Sequence, residues 1–299
     1  MPSFPAPADP VIAEVAPVPL HEAYRVCEDI ARTHYENFPV ASRFIPADRR
    51  SALAAIYAFA RQADDVADAE APSEDRVESL EAIEEALLRA LDGAPRGPVL
   101  TALADAVERH HLPTEPFLDL LGAFRLDARD TVFPTWSDLL AYCRGSANPV
   151  GRLVLTLHGI ADPDTLRRSD SICTALQLTN FWQDLGPDLK RGRLFLPLED
   201  LARFGLRREG LTRPESREAL TRLLRHECAL TRDLFARGAP IVKRTPRLLS
   251  IHLRATIAGG RAILRSVERL GGSVLERRPS LTGAARVGIA IRALAGFDG

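Results

Sequence analysis

The sequence predicts an all-α protein, and three observations carry that reading. Ala, Leu, Glu and Arg recur at helical spacing through most of the chain, Pro or Gly punctuates most of the joins, and Val, Ile and Thr runs of period two are missing. Residues 1–20 are rich in Pro and Ala and read as a flexible tail. Helices follow near 21–35, near 48–70 after Pro46, near 75–92 after Pro72, and near 98–111 after Gly93, Pro95 and Gly97. Pro113 and Pro134 precede the next two, near 115–128 and 136–145, and Pro149 and Pro163 open those near 150–160 and 163–186. The last three lie near 214–237, 247–271 and 282–296, after Pro214, Pro246 and the Pro279-to-Gly283 stretch. No fixed-period repeat and no long linker interrupts 21–296. One helical domain over 21–299 is the economical organisation, although 299 residues would allow about two.

Composition excludes several classes of function. Lys plus Arg number 39 against 40 Asp plus Glu, so no basic field is available to hold a nucleic acid. The four cysteines, at 27, 143, 173 and 228, include no C-x-x-C pair and read as reduced, mostly buried thiols. No Lys or Arg precedes an apolar stretch in the first twenty residues, so no secretory leader is read there. Nowhere do eighteen apolar residues run uninterrupted, so a membrane span is not expected and a cytoplasmic location is.

Two segments carry chemistry. In Ala54–Asp68, at 100° per residue, Tyr57, Arg61, Asp64 and Asp68 share one stripe, with Ile56, Ala60, Ala63 and Ala67 on the neighbouring apolar face. Like charges one turn apart cost an isolated helix roughly 0.2–0.5 kcal/mol, so a cation should offset Asp64 and Asp68, with Asp65 beside them. In Gln177–Asp188, the residues Gln177, Asn180, Asp184 and Asp188 fall within about 80° of one another around a helix. Pro187 lacks an N–H and clashes with the Gln183 carbonyl, so that helix should kink and Asp188 be displaced. Carboxylate and amide oxygens are hard ligands suited to Mg²⁺, which usually takes one or two carboxylates together with substrate phosphates. Lys190-Arg-Gly-Arg193 follows directly, placing three cations where a multiply charged anion would be met. Gly192 allows the backbone there to swing close to a ligand. One acidic stripe alone is more often a solvated, salt-bridged face. Two at the same spacing, each with basic neighbours, suggest a diphosphate held through bridging Mg²⁺.

Five patches in order along the chain resemble the squalene/phytoene synthase family of head-to-head prenyl synthases. They are His34-Tyr-Glu-Asn-Phe38, Tyr57-x-x-x-Arg61-x-x-Asp64-x-x-x-Asp68, Tyr142-Cys-Arg-Gly-Ser-Ala-Asn-Pro-Val-Gly151, Gln177-x-x-Asn180-x-x-x-Asp184-x-x-x-Asp188, and Arg191-Gly-Arg193-x-x-Leu196-Pro197. The resemblance runs from about Tyr24 to Val274 and implies an isoprenoid-synthase-type helical bundle around a central apolar cavity. Several strings, Glu36–Ser42, Ser146–Gly151 and Asn180-Phe-Trp-Gln-Asp184, are similar to the branch of bacterial hopanoid-route hydroxysqualene synthases. Most relatives carry Arg where this chain has Gln183, which implies one phosphate-facing cation fewer. Many carry Tyr where it reads Ala258-Gly-Gly260, which implies extra room or a different cation-facing surface.

The resemblance implies a role for each matching residue. Asp64, Asp68, Asn180, Asp184 and Asp188 would hold Mg²⁺. His34, Arg61, Gln177, Lys190, Arg191 and Arg193 would bind the substrate, and Tyr142 and Tyr57 would be catalytic. Phe38, Phe181 and Trp182 could face a cation, although core packing is the commoner use of such rings. The implied reaction is ionisation of presqualene diphosphate, rearrangement of the carbocation and capture by water as hydroxysqualene, with Tyr142 and Asn148 beside the water. NADPH is not expected, and no Gly-rich loop after a strand is present. Left open are synthesis of presqualene diphosphate or phytoene from two prenyl diphosphates such as farnesyl diphosphate, and a non-catalytic assembly protein. A peripheral contact with the inner membrane face and transient contacts with neighbouring pathway enzymes also stay open.

Overall fold

The computed structural model describes residues 18–33, 47–294 and 296, and among them it contains helices and no strand. His34, Phe38 and the Glu36–Ser42 string lie outside the described residues. The described chain divides into two compact units, one reaching to Thr131 and including Thr156–Gly159, the other covering Val132–Leu155 and everything from Ile160 onward.

The first unit holds α1 (Leu20–Thr33), α2 (Ala47–Ala67), α3 (Ser73–Leu91), α4 (Gly97–His110) and α5 (Glu115–Ala128). Ala23, Cys27 and Ala31 bury one face of α1 at a spacing of four. The helix α2 is the core of this unit and packs on the other four. It can do so because Ala52, Ala54, Ala55, Ala58, Ala63 and Ala67 let neighbouring backbones approach, while Leu53, Ile56 and Phe59 fill the gaps. The Phe59 ring meets Phe117 of α5 edge to face, centroids 5.7 Å apart.

The second unit is built on α8 (Pro163–Gln183), which packs against α11 (Arg217–Gly238) and α12 (Arg247–Leu270). Around it lie α6 (Trp136–Ser146), most of α7 (Asn148–Leu157), α9 (Leu185–Lys190), α10 (Leu198–Arg203), α13 (Gly283–Leu294) and short 3-10 turns. The N-terminus of α8 is set by Asp162, whose carboxylate accepts from the Asp164 and Thr165 N–H groups at 3.2 Å, with Pro163 at the first helical position. Close approach of the three long helices depends on small residues. A Cβ on Gly238 would meet Ile172 at 2.6 Å, and one on Gly260 would meet Leu176 at 2.6 Å and Phe235 at 2.8 Å.

All eleven helices expected from spacing are present, with ends moved by a few residues. The exception is the helix expected over 163–186, which stops at Gln183 and resumes as α9 after Asp184. The six-residue α10 was not expected, because six residues are too few to show a period. The room implied around Ala258-Gly-Gly260 exists at Gly259, where a Cβ would meet nothing within 4 Å, and not at Gly260.

Candidate active site

In the first unit the expected stripe forms on α2. Ile56, Ala63 and Ala67 are buried, whereas Tyr57, Arg61 and Asp64 are partly exposed and Asp68 is open to solvent. The offsetting cation is Arg61 itself: one guanidinium nitrogen donates to Asp64 Oδ2 at 3.2 Å and the other to Asp65 Oδ1. Asp64 is 38% exposed and Asp65 51%, so this pairing is solvated and weak enough to yield to a stronger ligand. Burial raises the Tyr57 phenol above its ordinary value, partly countered by Arg61, so at neutral pH this hydroxyl is a proton donor rather than a base.

The second unit places Gln177 and Asn180 on one face of α8, Asn180 exposed, and carries that face past a break at Asp184 into α9. Pro187 is the cause, because it offers no N–H to the Gln183 carbonyl and its ring crowds that oxygen. The break does not displace Asp188, whose N–H still donates to the Asp184 carbonyl at 2.9 Å, one helical turn away. Downstream, Gly192 adopts φ +79°, a left-handed conformation that favours glycine. The Arg193 N–H donates to the Asp188 carbonyl at 2.8 Å and the Gly192 N–H to the Leu189 carbonyl at 3.1 Å, closing α9 in a Schellman turn. That turn leaves Lys190 and Arg191 exposed and Arg193 half-buried just beyond the acidic residues.

Tyr142, only 5% exposed, sits among rings. Phe181 and Phe195 stack with centroids 4.0 Å apart, Tyr142 lies 6.0 Å from each, and Phe133 lies 5.2 Å from Tyr142. Of this cluster the sequence motifs mark Tyr142 and Phe181 but not Phe133 or Phe195. The one available signal was that Phe195 falls inside the Arg191–Pro197 string. Trp182 belongs to the packing instead, since its indole N–H donates to Thr231 Oγ1 at 3.0 Å in the core. Asn148 is buried and its side-chain oxygen accepts from Thr174 Oγ1 at 3.0 Å.

Gln183 is not an empty cation position. It is buried, and its amide donates to the Pro279 carbonyl at 2.6 Å. The cation beside Asp184 comes from Arg278, whose Nη2 donates to Asp184 Oδ2 at 3.1 Å while its Nε bonds the other carboxylate oxygen. Sequence reasoning missed Arg278 because nothing local marks it: it lies 94 residues from its partner.

Among the described residues no three His, Cys, Asp or Glu side chains converge into a ready cage for a metal ion. Mg²⁺ rarely uses such cages and is content with one or two carboxylates plus phosphate oxygens and water. Solvent-accessible carboxylates one turn apart, at Asp64 and Asp68 on α2 and separately at Asp184 and Asp188, are therefore each suitable donors.

A separate cleft of about 390 Å³ opens between Trp136, Glu199, Asp200, Arg203, His226 and Leu230, and none of these belongs to the motif set. Behind it Glu227 is fully buried, and neither carboxyl oxygen meets a donor. Burial and the neighbouring Asp200 push its carboxyl up to about 9. A proton on Glu227 supplies a donor where the buried carboxyl otherwise has none. The thiols are equally inert, with burial raising Cys27, Cys143 and Cys228 to about 12.

Known proteins of one family are similar to this chain. The family described as squalene/phytoene synthase matches residues 31–285. A phytoene synthase of Mycobacterium tuberculosis is 33% identical over 281 residues, 92% of each chain. A hydroxysqualene synthase of Rhodopseudomonas palustris is 37% identical over 213 residues, 70% of this chain and 72% of that one. Among solved structures, squalene synthase HpnC from Alicyclobacillus acidocaldarius superposes with a TM-score of 0.79 at 39% identity, covering 86% of this chain and 97% of that one.

Proposed function

This chain belongs to the squalene/phytoene synthase family, and we propose that within it the protein converts presqualene diphosphate to hydroxysqualene. The family carries out head-to-head chemistry on prenyl diphosphates, so an isoprenoid synthase is the premise and the particular substrate is the proposal. The observation that carries the proposal is the likeness to a hydroxysqualene synthase, 37% identical over 70% of this chain.

In this account Asp64, Asp68, Asn180, Asp184 and Asp188 hold Mg²⁺, which when bound neutralises diphosphate charge and makes it a better leaving group. Lys190, Arg191, Arg193 and Arg278 bind the diphosphate oxygens, while Gln177 and Tyr57 orient it by donating hydrogen bonds. Arg61 holds Asp64 and Asp65 in place on α2. His34, outside the described residues, is kept as a further diphosphate ligand. Tyr142, Phe181, Phe195 and Phe133 turn ring faces to the carbocation, each contact contributing about 0.5–2 kcal/mol, and exclude bulk water. One water must be admitted. Support for a polar foothold comes from Ser146, one turn beyond Tyr142 on α6, whose buried hydroxyl meets no partner. No nicotinamide is needed, and residues 21–299 act as one catalytic domain.

The location is proposed as cytoplasmic with a peripheral membrane contact. Among the described residues no helix is long and apolar enough to cross a membrane, while α13 exposes Val287, Ile291 and Leu294 at helical spacing. Transient contact with neighbouring pathway enzymes is retained as part of the proposal.

Arg193→Ala is expected to weaken inorganic pyrophosphate inhibition by roughly ten- to a hundredfold, since hydrogen bonds to charged groups contribute about 1.5–3 kcal/mol. An unchanged inhibition constant would remove Arg193 from the site. The substrate itself is tested by supplying presqualene diphosphate and farnesyl diphosphate separately, with and without NADPH. Rapid consumption of the first alone, indifferent to NADPH, is expected. A second reading, condensation of two prenyl diphosphates, is favoured by the likeness to a phytoene synthase over 92% of the chain, and efficient use of farnesyl diphosphate would establish it.

A further inference from the structure

We infer that Gln183 is a positioning residue, which by holding the Pro279 carbonyl keeps the Arg278 guanidinium at the Asp184 carboxylate, where it meets the substrate diphosphate. The inference rests on the reading of this site as a diphosphate site. Three contacts join the α8–α9 junction to the stretch that runs from Leu275, the last residue of the 3-10 turn Gly271–Leu275, to Pro279, and their partners lie within residues 183–186. The buried Gln183 amide donates to Pro279 O at 2.6 Å. Arg278, the preceding residue, spans both oxygens of Asp184, the residue after Gln183. Gly186 lies so close to the segment that a Cβ there would collide with the Leu275 carbonyl oxygen.

The division of labour follows from burial. Arg278 is 54% exposed and Asp184 29%, so their ion pair is solvated and does not by itself order a long side chain on an irregular segment. The Gln183 bond is shielded from water and joins residues 96 apart in the chain, so it restrains the backbone from which Arg278 projects. An arginine at 183 would bring its own charge to this buried spot. With glutamine the helix supplies the restraint and the segment supplies the cation. Removing the amide should therefore affect anion binding only through Arg278.

A double-mutant cycle reads this directly, with inorganic pyrophosphate binding measured by calorimetry at fixed Mg²⁺ on wild type, Gln183→Met, Arg278→Ala and the double variant. Gln183→Met is expected to weaken pyrophosphate binding roughly two- to tenfold in wild type, the scale of one net hydrogen bond, and by less than about twofold when Arg278 is already alanine. Equal loss in both backgrounds, or no loss in either, overturns the inference. Gln183→Asn, whose amide is too short to reach Pro279, repeats the cycle with a polar side chain should the methionine variant fold poorly. Hydrogen exchange over 276–281 should quicken in both Gln183 variants, and unchanged exchange there would also overturn it. Pyrophosphate binding does not depend on which product is made, so failure here leaves the proposed reaction standing, and failure of that reaction leaves this result standing.

Discussion

Asp64→Asn and Asp184→Asn are each expected to abolish turnover, by at least about a hundredfold, while the helical circular dichroism spectrum and melting temperature stay close to wild type. Perturbing residues that merely support metal ligands typically costs ten- to a hundredfold, so removing a charge from the proposed Mg²⁺ donors themselves should cost more. The fold is spared because both side chains lie at the protein surface. Asp64 gives up half of a solvated pairing with Arg61, which retains Asp65, and Asp184 gives up an ion pair with Arg278 that is half open to water. Pairs of this kind contribute about 0–1 kcal/mol. Asparagine keeps the size of each side chain and one oxygen ligand. Retained turnover in the presence of Mg²⁺ would show that these stripes are no more than salt-bridged helix faces. A loss of activity that tracked a loss of helix would point to folding instead.

Glu227→Gln is expected to stabilise the protein, and by more at pH 8 than at pH 5. The unfolded chain releases this proton near the ordinary glutamate value of 4.5, whereas the folded protein keeps it up to about 9. The folded state thus binds more protons across that interval, and stability falls as pH rises through it. The favourable contribution is complete below about pH 4.5 and lost by about pH 9. Each pH unit is linked to about 1.4 kcal/mol at most, so from pH 5 to pH 8 the advantage of glutamine should grow by up to about 4 kcal/mol. Glutamine fits because its NH₂ replaces the donor that the proton supplied beside Asp200, a group that is itself 5% exposed. Unfolding free energies measured at the two pH values check the result, and parallel profiles for variant and wild type would mean that Glu227 is ionised in the fold.

Much of this was legible in the sequence because the determining interactions are local. Helix α2 announces its stripe through spacing alone, and the cation that offsets Asp64 is four residues or fewer from every carboxylate it touches. Pro187 foretold the interruption of α8, although the break falls at Asp184 and leaves Asp188 in helical register. What the sequence concealed is set by contacts between distant segments. Arg278 reaches Asp184, and Gln183 reaches Pro279, only because α9 and the turn after α12 approach closely at Gly186. Reading Gln183 by itself suggests a missing charge, whereas its folded surroundings make it a hydrogen-bond donor to the backbone. Phe195 and Phe133 were overlooked for the same reason, since ring stacking leaves no periodic trace.

The central claim is that water ends the reaction on a C30 carbocation derived from presqualene diphosphate. Its most direct test is turnover of presqualene diphosphate by the purified protein with Mg²⁺ in water enriched in heavy oxygen, followed by mass spectrometry of the lipid product. The account predicts a C30 alcohol carrying the solvent's heavy oxygen, formed at the same rate with or without NADPH. A hydrocarbon that appears only when NADPH is added, or an absence of turnover alongside efficient condensation of farnesyl diphosphate, would contradict it.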